Sequence, residues 1–255
     1  MQTQAIILEK QLIGPAWWQL TFAVAEFSGA FGPGQFFLLR CDPCYLRRPI
    51  FPQHLGDNRF ALLLRPTTDP GLSWLISRQP GDALDMFGPL GRGFSLPAGA
   101  ANLLLASDEQ WLSPLLQQME LTVAAGGAVT LAQGGRRSAS LYPVASLPAA
   151  VEFFAVTRDG SQGQRGQLAN ALPQLLRWAD AVLAVGSLEL YRALKRHTEQ
   201  VQLRVTSGFL FGLLAPELLP CGVGACFGCA VTAGHSPKLA CSDGPIFDLA
   251  EIELG

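Results

Sequence analysis

The chain has 255 residues, of which 49% are hydrophobic and only 15% charged, and its formal net charge is −2. About 25% of the residues of an average soluble domain are charged, so this chain has little charged surface. A charge near zero excludes the electrostatic attraction that a nucleic acid backbone or an anionic membrane requires. No apolar run reaches the ~20 residues of a spanning helix, and residues 1–15 lack the pattern of a signal peptide. These features predict a cytoplasmic protein with two domains and a small appendage.

Residues 2–96 contain short apolar segments that are rich in strand-forming side chains. The predicted strands are residues 5–8, 17–25, 35–40, 59–64 and 82–87. Turns such as Gly32-Pro33-Gly34 and Gly88-Pro89-Leu90-Gly91 separate them. Several short strands between turn signals predict a small antiparallel β-barrel, which we assign to residues 1–98.

After Pro97 the pattern changes to buried strands that alternate with segments of helical length. The predicted strands are residues 103–106, 128–132, 151–156, 181–185 and 203–205, and the predicted helices are residues 113–125, 167–179 and 188–200. Strands that alternate with helices predict an α/β domain with a parallel sheet, here residues 99–214. Residues 215–255 are rich in glycine and cysteine and fit neither pattern, which predicts a third module built around an inorganic group.

Four of the six cysteines lie close together near the C-terminus. Their spacing is Cys221-x4-Cys226-x2-Cys229-x11-Cys241, which is the plant-type ligand pattern of a 2Fe-2S cluster. Glycines within the loop let the backbone approach the cluster sulfides, because they carry no Cβ. The alternative is a four-cysteine zinc site, which is usually built from two short Cys-x2–4-Cys pairs. Cys241 stands alone, so the iron–sulfur interpretation is favoured over zinc.

The remaining candidate ligands do not form a second set. Cys41 and Cys44 make a Cys-x2-Cys pair of their own, but no further ligand pair lies near them in the sequence, so we interpret them as free thiols. His54, His197 and His235 are scattered, and each is interpreted as a surface or loop residue. No Ser-His-Asp set, carboxylate pair or Walker loop suggests a separate hydrolytic activity.

Four motifs occur in the order seen in one family. They are Pro33-Gly34-Gln35-Phe36-Phe37, Leu46-Arg47-Arg48-Pro49-Ile50, Gly88-Pro89-Leu90-Gly91-Arg92-Gly93-Phe94, and the cysteine loop followed by Cys241-Ser242-Asp243-Gly244-Pro245-Ile246-Phe247-Asp248. The chain resembles the electron-transfer subunit of class 1B dihydroorotate dehydrogenase, a branch of the ferredoxin reductase superfamily. The resemblance implies FAD in the β-barrel, NAD(H) in the α/β domain, and a 2Fe-2S cluster that passes electrons to FMN in a separate catalytic subunit.

The resemblance also implies which residues of the barrel contact FAD. Arg48, Pro49 and Ile50 match residues that lie against the flavin, with the arginine suited to a bidentate phosphate contact. Phe51 stands where the family has a serine hydroxyl, so this side chain cannot make the usual hydrogen bond near the reactive flavin nitrogen. The other matching residues are Leu63, Leu64 and Arg65 on a strand, and Gly71, Leu72 and Ser73 at a phosphate turn. The alternative is a barrel that has kept the fold and lost the flavin.

The α/β domain departs much further from the family. A dinucleotide site needs a glycine-rich turn from strand to helix, whose N–H groups bind the pyrophosphate. Here that turn is Ser107-Asp108-Glu109-Gln110-Trp111, with two carboxylates and no glycine, and the family's Cys-Gly-Pro turn is Val185-Gly186-Ser187. Carboxylates cap a helix N-terminus themselves and repel a phosphate. We therefore expect weak or absent NAD(H) binding at this place.

These features lead to two hypotheses about function. In the first, the chain relays electrons between FAD, a 2Fe-2S cluster and a dihydroorotate dehydrogenase-like partner flavoprotein in pyrimidine biosynthesis, within a heterotetramer. In the second, it is a non-catalytic docking subunit that keeps the cluster and has lost flavin and NAD. In both hypotheses, Cys221, Cys226, Cys229 and Cys241 are the metal ligands. The large apolar fraction then reflects surface covered by a partner subunit and a second copy.

Overall fold

The structure is a computed structural model that describes residues 2–25, 27, 29, 31–108, 111–202, 207–214, 217, 219–234 and 236–254. In this part of the chain, no helix combines the length and the apolar character that crossing a bilayer demands.

The N-terminal part forms a seven-stranded antiparallel sheet in the order β4-β3-β7-β1-β2-β6-β5. Its strands are β1 (Gln2–Gly14), β2 (Trp17–Val24), β3 (Phe36–Leu39), β4 (Arg48–Ile50), β5 (Gln53–Gly56), β6 (Arg59–Leu64) and β7 (Ala83–Leu90). On β2, Leu20, Phe22 and Val24 alternate with less buried residues, as expected for a strand with one face in the core. All five predicted strands of this part are present, and β4 and β5 are additional short strands at the two edges.

The second sheet also has seven strands, in the order β11-β10-β9-β8-β12-β13-β16. They are β8 (Asn102–Ser107), β9 (Ala128–Gly135), β10 (Val151–Thr157), β11 (Gln164–Arg165), β12 (Ala181–Val185), β13 (Leu210–Leu213) and, at the edge, β16 (Ile246–Asp248). Every residue of β12 is fully buried, because helices cover a parallel sheet on both faces. All neighbouring strands are parallel except β13 and β16, which pair antiparallel. The predicted α/β domain is therefore confirmed, with one antiparallel edge strand from the C-terminal segment.

Within the described ranges, five α-helices accompany the sheets. They are α1 (Pro70–Ser77), α2 (Ser113–Ala124), α3 (Leu168–Ala171), α4 (Pro173–Leu176) and α5 (Leu188–Gln202). The predicted helix over residues 167–179 is wrong as a single helix, because Pro173 has no backbone N–H and begins a new one-turn helix after Leu172. Helix α1 was not predicted, although Asp69 caps it by accepting a 2.8 Å hydrogen bond from the backbone N–H of Leu72.

The C-terminal segment is more regular than its composition indicated. Strands β14 (Ala230–Ala233) and β15 (Ser236–Leu239) form an antiparallel hairpin, and β16 joins the second sheet. The predicted strand at residues 203–205 lies outside the described residues, whereas β13 lies a few positions further along. The boundaries at residues 98 and 214 remain predictions.

Among the described residues, hydrogen bonds join the N-terminal part to the second part through α2 and through the loop at Leu141. The backbone N–H of Leu63 donates to Oγ of Ser113 at 3.1 Å, and Nε2 of Gln117 donates to the carbonyl oxygen of Phe31 at 3.0 Å. The indole N–H of Trp17 donates to the carbonyl oxygen of Leu141 at 2.8 Å. The first two turns of α2 are therefore docked directly onto the antiparallel sheet, which positions the groove between the two parts.

Candidate functional site

The four C-terminal cysteines lie on one loop and the hairpin that follows it. The β14–β15 hairpin pairs Ala230 with Leu239, and the N–H of Ala240 donates to the carbonyl oxygen of Cys229 at 3.0 Å. This pairing brings Cys241 back to Cys229, so that the N–H of Cys241 donates to Sγ of Cys229 at 3.4 Å. The distant fourth cysteine therefore reaches the loop because a hairpin spans the gap in the sequence.

Positive-φ residues shape the loop around the sulfur atoms. Gly222 and Gly224 have φ of 71° and 74°, in the left-handed region that favours glycine, and Phe227 adopts the same region at φ 59°. The N–H of Gly224 donates to Sγ of Cys241 at 3.2 Å, and that of Gly228 donates to Sγ of Cys226 at 3.5 Å. The backbone thus directs its N–H groups at sulfur, as expected around thiolate ligands.

Other backbone N–H groups of the loop lower the pKa of Cys221. Burial raises its pKa, but hydrogen bonds from the backbone N–H groups of Val223, Cys226 and Ala225, together with one from the Cys226 thiol, lower the pKa to about 6. A thiol with this pKa is mostly thiolate at neutral pH, and the thiolate is the form that binds metal.

Cys241 has the opposite shift. Burial raises its pKa to about 12, together with the hydrogen bond and the charge of Cys229, although the N–H of Gly224 acts the other way. Only 1% of Cys241 and 2% of Cys229 is exposed, whereas Cys226 is exposed. A bound cation would stabilise the thiolate form of the two buried cysteines, as metal binding displaces thiol protons.

The thiols influence one another in two neighbouring pairs, since Cys226 lowers the pKa of Cys221 and Cys229 raises that of Cys241. Across the described residues, no three His, Cys, Asp or Glu side chains are grouped as ligands of one metal ion. Two such pairs suit a two-iron cluster, in which each iron takes two thiolates. The donor atoms and the N–H groups therefore fit the cluster that the spacing predicts.

A second feature is a cavity of about 510 Å³ beside β4 and the N-terminus of α1. Its lining includes Arg48, Pro49 and Leu72, three of the ten residues predicted to contact FAD. The other lining residues are Thr67, Thr68, Asp69, Trp111 and Glu217. Sequence reasoning did not single out Asp69 or Glu217, which add two carboxylates to a site expected to hold a diphosphate.

Asp69 binds both groups that would attract a phosphate, the guanidinium of Arg48 and the N-terminus of α1. Its carboxylate accepts a hydrogen bond from Nε of Arg48 at 2.9 Å, and it also caps α1 through the N–H of Leu72. Burial lowers the pKa of Arg48, but the hydrogen bond and charge of Asp69 raise it above its ordinary value. A phosphate at this place would have to displace Asp69 or share Arg48 with it.

Phe51 fills the position of the missing hydroxyl with an aromatic ring. It is fully buried, its ring centroid lies 5.6 Å from that of Phe36, and it meets Trp111 edge-on at 5.5 Å. Trp111 comes from the turn before α2, so these rings close the groove between the two sheets. The pairing was not visible in the sequence because Phe51 and Trp111 are far apart along the chain.

The other predicted FAD residues are dispersed. Ile50, Leu63 and Leu64 are buried in the core. Gly71 packs against Arg48, and the hydroxyl of Ser73 donates to the carbonyl oxygen of Thr67 at 2.8 Å. Arg65 lies outside this cavity, with its guanidinium over the ring of Trp17 at 5.1 Å.

The crevice at the carboxyl ends of β8 and β12 is bridged by Asp108. One carboxylate oxygen accepts from the N–H of Ser187 at 2.8 Å, and the other accepts from its hydroxyl at 2.6 Å. A Cβ on Gly186 would lie 2.1 Å from the same carboxylate, so the contact requires this glycine. The carboxylate of the turn compared with a pyrophosphate site thus takes up two donors of Ser187, in the turn that follows β12. Glu109 and Gln110 lie outside the described residues.

Cys41 and Cys44 lie together at a turn, in which the N–H of Cys44 donates to the carbonyl oxygen of Cys41 at 2.9 Å. Burial raises the pKa of Cys41 to about 12, with a further contribution from Cys44. These thiols belong to the barrel and are not part of the C-terminal cysteine loop. His197 hydrogen-bonds to the carbonyl oxygen of Ala169, and His54 lies against Phe60, whereas His235 lies outside the described residues.

Comparison with known proteins agrees with this geometry. Residues 217–253 match the family model described as the iron-sulfur cluster binding domain of dihydroorotate dehydrogenase B. The electron transfer subunit of dihydroorotate dehydrogenase B (NAD(+)) from Geobacillus thermodenitrificans is 28% identical over 97% of both chains. The corresponding subunit from Bacillus cereus strain Q1 is 28% identical over 87% of both chains. The chain is a relative of these electron transfer subunits.

Solved structures support the same fold. A structure of NADH-dependent reduced ferredoxin-NADP oxidoreductase, a flavin-based electron bifurcation enzyme, superposes with a TM-score of 0.82 at 22% identity, over 98% of this chain and 89% of that one. Phthalate dioxygenase reductase superposes with a TM-score of 0.64 at 16% identity, over 81% of this chain and 66% of that one. The sequence comparison therefore confirms the resemblance inferred from the motifs, and the solved structures confirm the fold.

Proposed function

We propose that this chain is an electron-transfer subunit that relays electrons between FAD, a 2Fe-2S cluster and a partner flavoprotein of the dihydroorotate dehydrogenase type. The observation that carries the proposal is the loop of four thiols in two pairs, with backbone N–H groups directed at their sulfur atoms. Cys221, Cys226, Cys229 and Cys241 are the proposed ligands. The relationship over nearly the whole chain supports the same role.

When bound, the flavin supplies the exchange between two-electron and one-electron transfer, and the cluster supplies one-electron transfer. The N–H groups of Gly224 and Gly228 offset negative charge on the thiolates, which a cluster held by four thiolates requires. Gly222 keeps the loop against the barrel, since a Cβ there would lie 2.6 Å from Leu90. In the barrel, Arg48, Pro49 and Leu72 are the cavity residues proposed to hold FAD.

The cluster loop also carries apolar side chains in contact with solvent. Val223 is 56% exposed and Phe227 is 64% exposed, next to the exposed Cys226. Aromatic side chains are enriched where proteins meet, so this edge suits contact with the catalytic subunit. We propose that the complex is a heterotetramer in the cytoplasm, where free thiols persist, and that it serves pyrimidine biosynthesis.

The purified chain tests this proposal through its visible spectrum, acid-released flavin, iron and inorganic sulfide. We expect one FAD, with two irons and two sulfides as a 2Fe-2S cluster contains, per chain. Zinc with no sulfide would contradict the cluster, and iron and sulfide without flavin would leave the cluster but remove FAD.

A second function, a docking subunit that keeps the cluster without flavin or NAD, is favoured by the barrel groove. Asp69 already holds Arg48 and caps α1, and Phe51 meets Trp111 in the groove. A sample with stoichiometric iron and sulfide but no flavin would support this function. In either case we expect no saturable reduction by micromolar NADH, because Asp108 occupies the donors of Ser187.

A further inference from the structure

Cys41 and Cys44 are the two cysteines that the proposed cluster does not use. They stand at the two ends of a four-residue turn after β3, which is closed by the 2.9 Å hydrogen bond from the N–H of Cys44 to the carbonyl oxygen of Cys41. Such a turn keeps its terminal Cα atoms within roughly 7 Å, and a disulfide needs Cα atoms about 4.4–6.8 Å apart. Both thiols are free in the structure. The backbone of the turn is therefore compatible with a bond between their sulfur atoms.

Both thiols border one cavity of about 420 Å³ on the surface of the barrel. Cys44 is half-buried and the neighbouring Tyr45 is fully exposed, whereas only 1% of Cys41 is exposed. The other lining residues are Arg40, Asp42, Tyr45 and Arg47. A small molecule that enters this cavity therefore reaches Cys44 before Cys41.

The surroundings of the two thiols suit them to different steps of a thiol–disulfide exchange. Burial raises the pKa of Cys41 to about 12, and the charges of Cys44 and Asp69 also raise it, whereas Arg48 acts the other way. A thiol with this pKa stays protonated at neutral pH, and the attacking form in an exchange is the thiolate. The accessible Cys44 thus suits the first attack. Cys41 suits the second step, when a bonded sulfur of Cys44 lies beside it.

The pair also adjoins the cavity proposed to hold FAD. A Cβ on Gly71 would lie 3.0 Å from Sγ of Cys44 and 2.6 Å from Cγ of Arg48, so both side chains pack on the same backbone at the start of α1. The thiol of Cys41 donates to the carbonyl oxygen of Leu39 at 3.8 Å, and Leu39 pairs with Arg48 between β3 and β4. Both thiols therefore contact segments that position Arg48.

We propose that Cys41 and Cys44 form a redox-active dithiol that reacts with low-molecular-weight disulfides, and that the resulting protein disulfide weakens FAD binding at Arg48. The effect on FAD rests on the proposed function. Sulfur atoms that bond to each other leave their contacts with Gly71 and Leu39, which changes the support of Arg48. In a compartment that keeps thiols reduced, such a disulfide is transient, as is typical of redox sensing.

The exchange proceeds in two steps. The thiolate of Cys44 attacks one sulfur of the small disulfide, forms a mixed disulfide and releases one small thiolate. The sulfur of Cys41 then attacks Sγ of Cys44 and releases the second small thiolate. The two leaving thiolates take up the protons of Cys44 and Cys41. Two protein thiols are thereby oxidised to one disulfide, and one small disulfide is reduced to two thiols.

Peptide masses after treatment of the full chain with oxidised glutathione test the dithiol. Trypsin cleaves after Arg40 and Arg47, so one peptide, residues 41–47, contains both Cys41 and Cys44 and none of the proposed cluster ligands. We expect this peptide to lose the mass of two hydrogen atoms, and dithiothreitol to restore the mass. A dithiol that persists in excess oxidised glutathione would overturn the proposal.

Two matched serine variants test the order of the steps. Cys41→Ser should accumulate a glutathione adduct on Cys44, because no second thiol displaces it. Cys44→Ser should leave Cys41 unmodified, because that thiol is buried. Circular dichroism shows whether both variants are folded. An adduct on Cys41 of the second variant, without one on Cys44 of the first, would contradict the assigned roles.

Flavin fluorescence during titration with FAD tests the effect on the neighbouring cavity. We expect FAD to bind roughly threefold or more weakly to the oxidised wild type than to the reduced one. In the control variant Cys44→Ser, oxidised glutathione should not change the affinity. Equal affinities in both states of the wild type would overturn the coupling. No FAD binding in either state would contradict the proposed FAD site and the coupling with it, whereas the peptide mass would still decide whether the dithiol reacts.

Discussion

The cysteine loop and the β8–β12 crevice differ in what accepts hydrogen bonds from their exposed backbone N–H groups. In both, a turn exposes backbone N–H groups beside a glycine. In the loop, the N–H groups of Gly224 and Gly228 are directed at thiols that a metal can bind. In the crevice, the N–H of Ser187 is satisfied by a carboxylate of the chain itself. A fold can therefore be retained while one of its sites stays open to a cofactor and another is closed from within.

The barrel groove is intermediate between these two regions, because it has a cavity for a ligand but its arginine is already paired with a carboxylate of the chain. Arg48 still borders the cavity, but Asp69 binds it at 2.9 Å. Burying a charge without a partner is costly, so the carboxylate of Asp69 stabilises the guanidinium of Arg48 when no phosphate is bound. Variants of single side chains measure, for each region, how far the chain's own residues occupy the site.

The largest effect is expected in the open region. Cys226→Ala should abolish the cluster, because the loss of one of four thiolates leaves an iron without its ligand set. Cys226 is exposed, so the fold should persist and the loss should appear in iron, sulfide and visible absorbance rather than in circular dichroism. Cys44→Ala is the control and should retain its full iron content. Full iron and sulfide in the Cys226 variant would remove it from the ligand set.

Next in size is the filled groove. Phe51→Ala should lower the free energy of unfolding by ~3–5 kcal/mol, because a fully buried aromatic side chain leaves a cavity. Urea denaturation followed by tryptophan fluorescence measures the change. A loss below ~1 kcal/mol would indicate that the ring does not fill the groove. The groove would then be open to a ligand, as the cysteine loop is.

A smaller effect is expected at the phosphate end of the groove. Asp69→Asn should tighten FAD binding about tenfold, since asparagine caps α1 equally well but does not neutralise Arg48 or repel phosphate. Flavin fluorescence during titration with FAD gives the affinity. Asp85→Asn, which breaks the ion pair with Arg47 outside the cavity, is the control and should leave FAD affinity unchanged. Equal affinities in wild type and the Asp69 variant would show that Asp69 does not compete with the flavin.

The smallest effect is expected at the surface of the cysteine module. Lys238 and Glu251 form an ion pair at 2.6 Å, with side chains 38% and 52% exposed. Exposed pairs contribute ~0–1 kcal/mol, so Lys238→Ala should change the free energy of unfolding by no more than that and leave the iron content unchanged. Loss of iron in this variant would show that the cluster depends on the hairpin as well as on its thiol ligands.

The sequence predicted most of the regular structure because its signals are local. Buried strands such as Ala181–Val185 are continuous apolar runs, and the spacing of Cys221, Cys226 and Cys229 lies within one loop. Helix α1 carries a local start signal too, because Asp69 is its N-cap and Pro70 its first residue, but it has only eight residues. The helix predicted over residues 167–179 is wrong because its apolar spacing continues through Pro173, which cannot donate the backbone hydrogen bond of a helix interior.

Pairings between distant residues could not be predicted in this way. The contact of Phe51 with Trp111 and the ion pair of Arg48 with Asp69 each join elements whose register depends on the packed sheets. The role of Asp108 was only partly visible. Its charge at the turn was evident, whereas its partner Ser187 is 79 positions away in the sequence. The ten residues predicted to contact FAD therefore spread over a cavity, a core and a second crevice.

By itself, the sequence determined the order of the modules, the two kinds of sheet and the ligand spacing of the cysteine loop, because each depends on residue types within a short stretch. Only the tertiary structure decided which of the inherited sites are open. That outcome depends on where a carboxylate or an aromatic ring contacts a residue of another element. Such contacts are determined by tertiary packing and not by the spacing of residues in the sequence. For Cys241, the spacing identified a proposed ligand. The β14–β15 hairpin brings its backbone nitrogen within 3.4 Å of Sγ of Cys229.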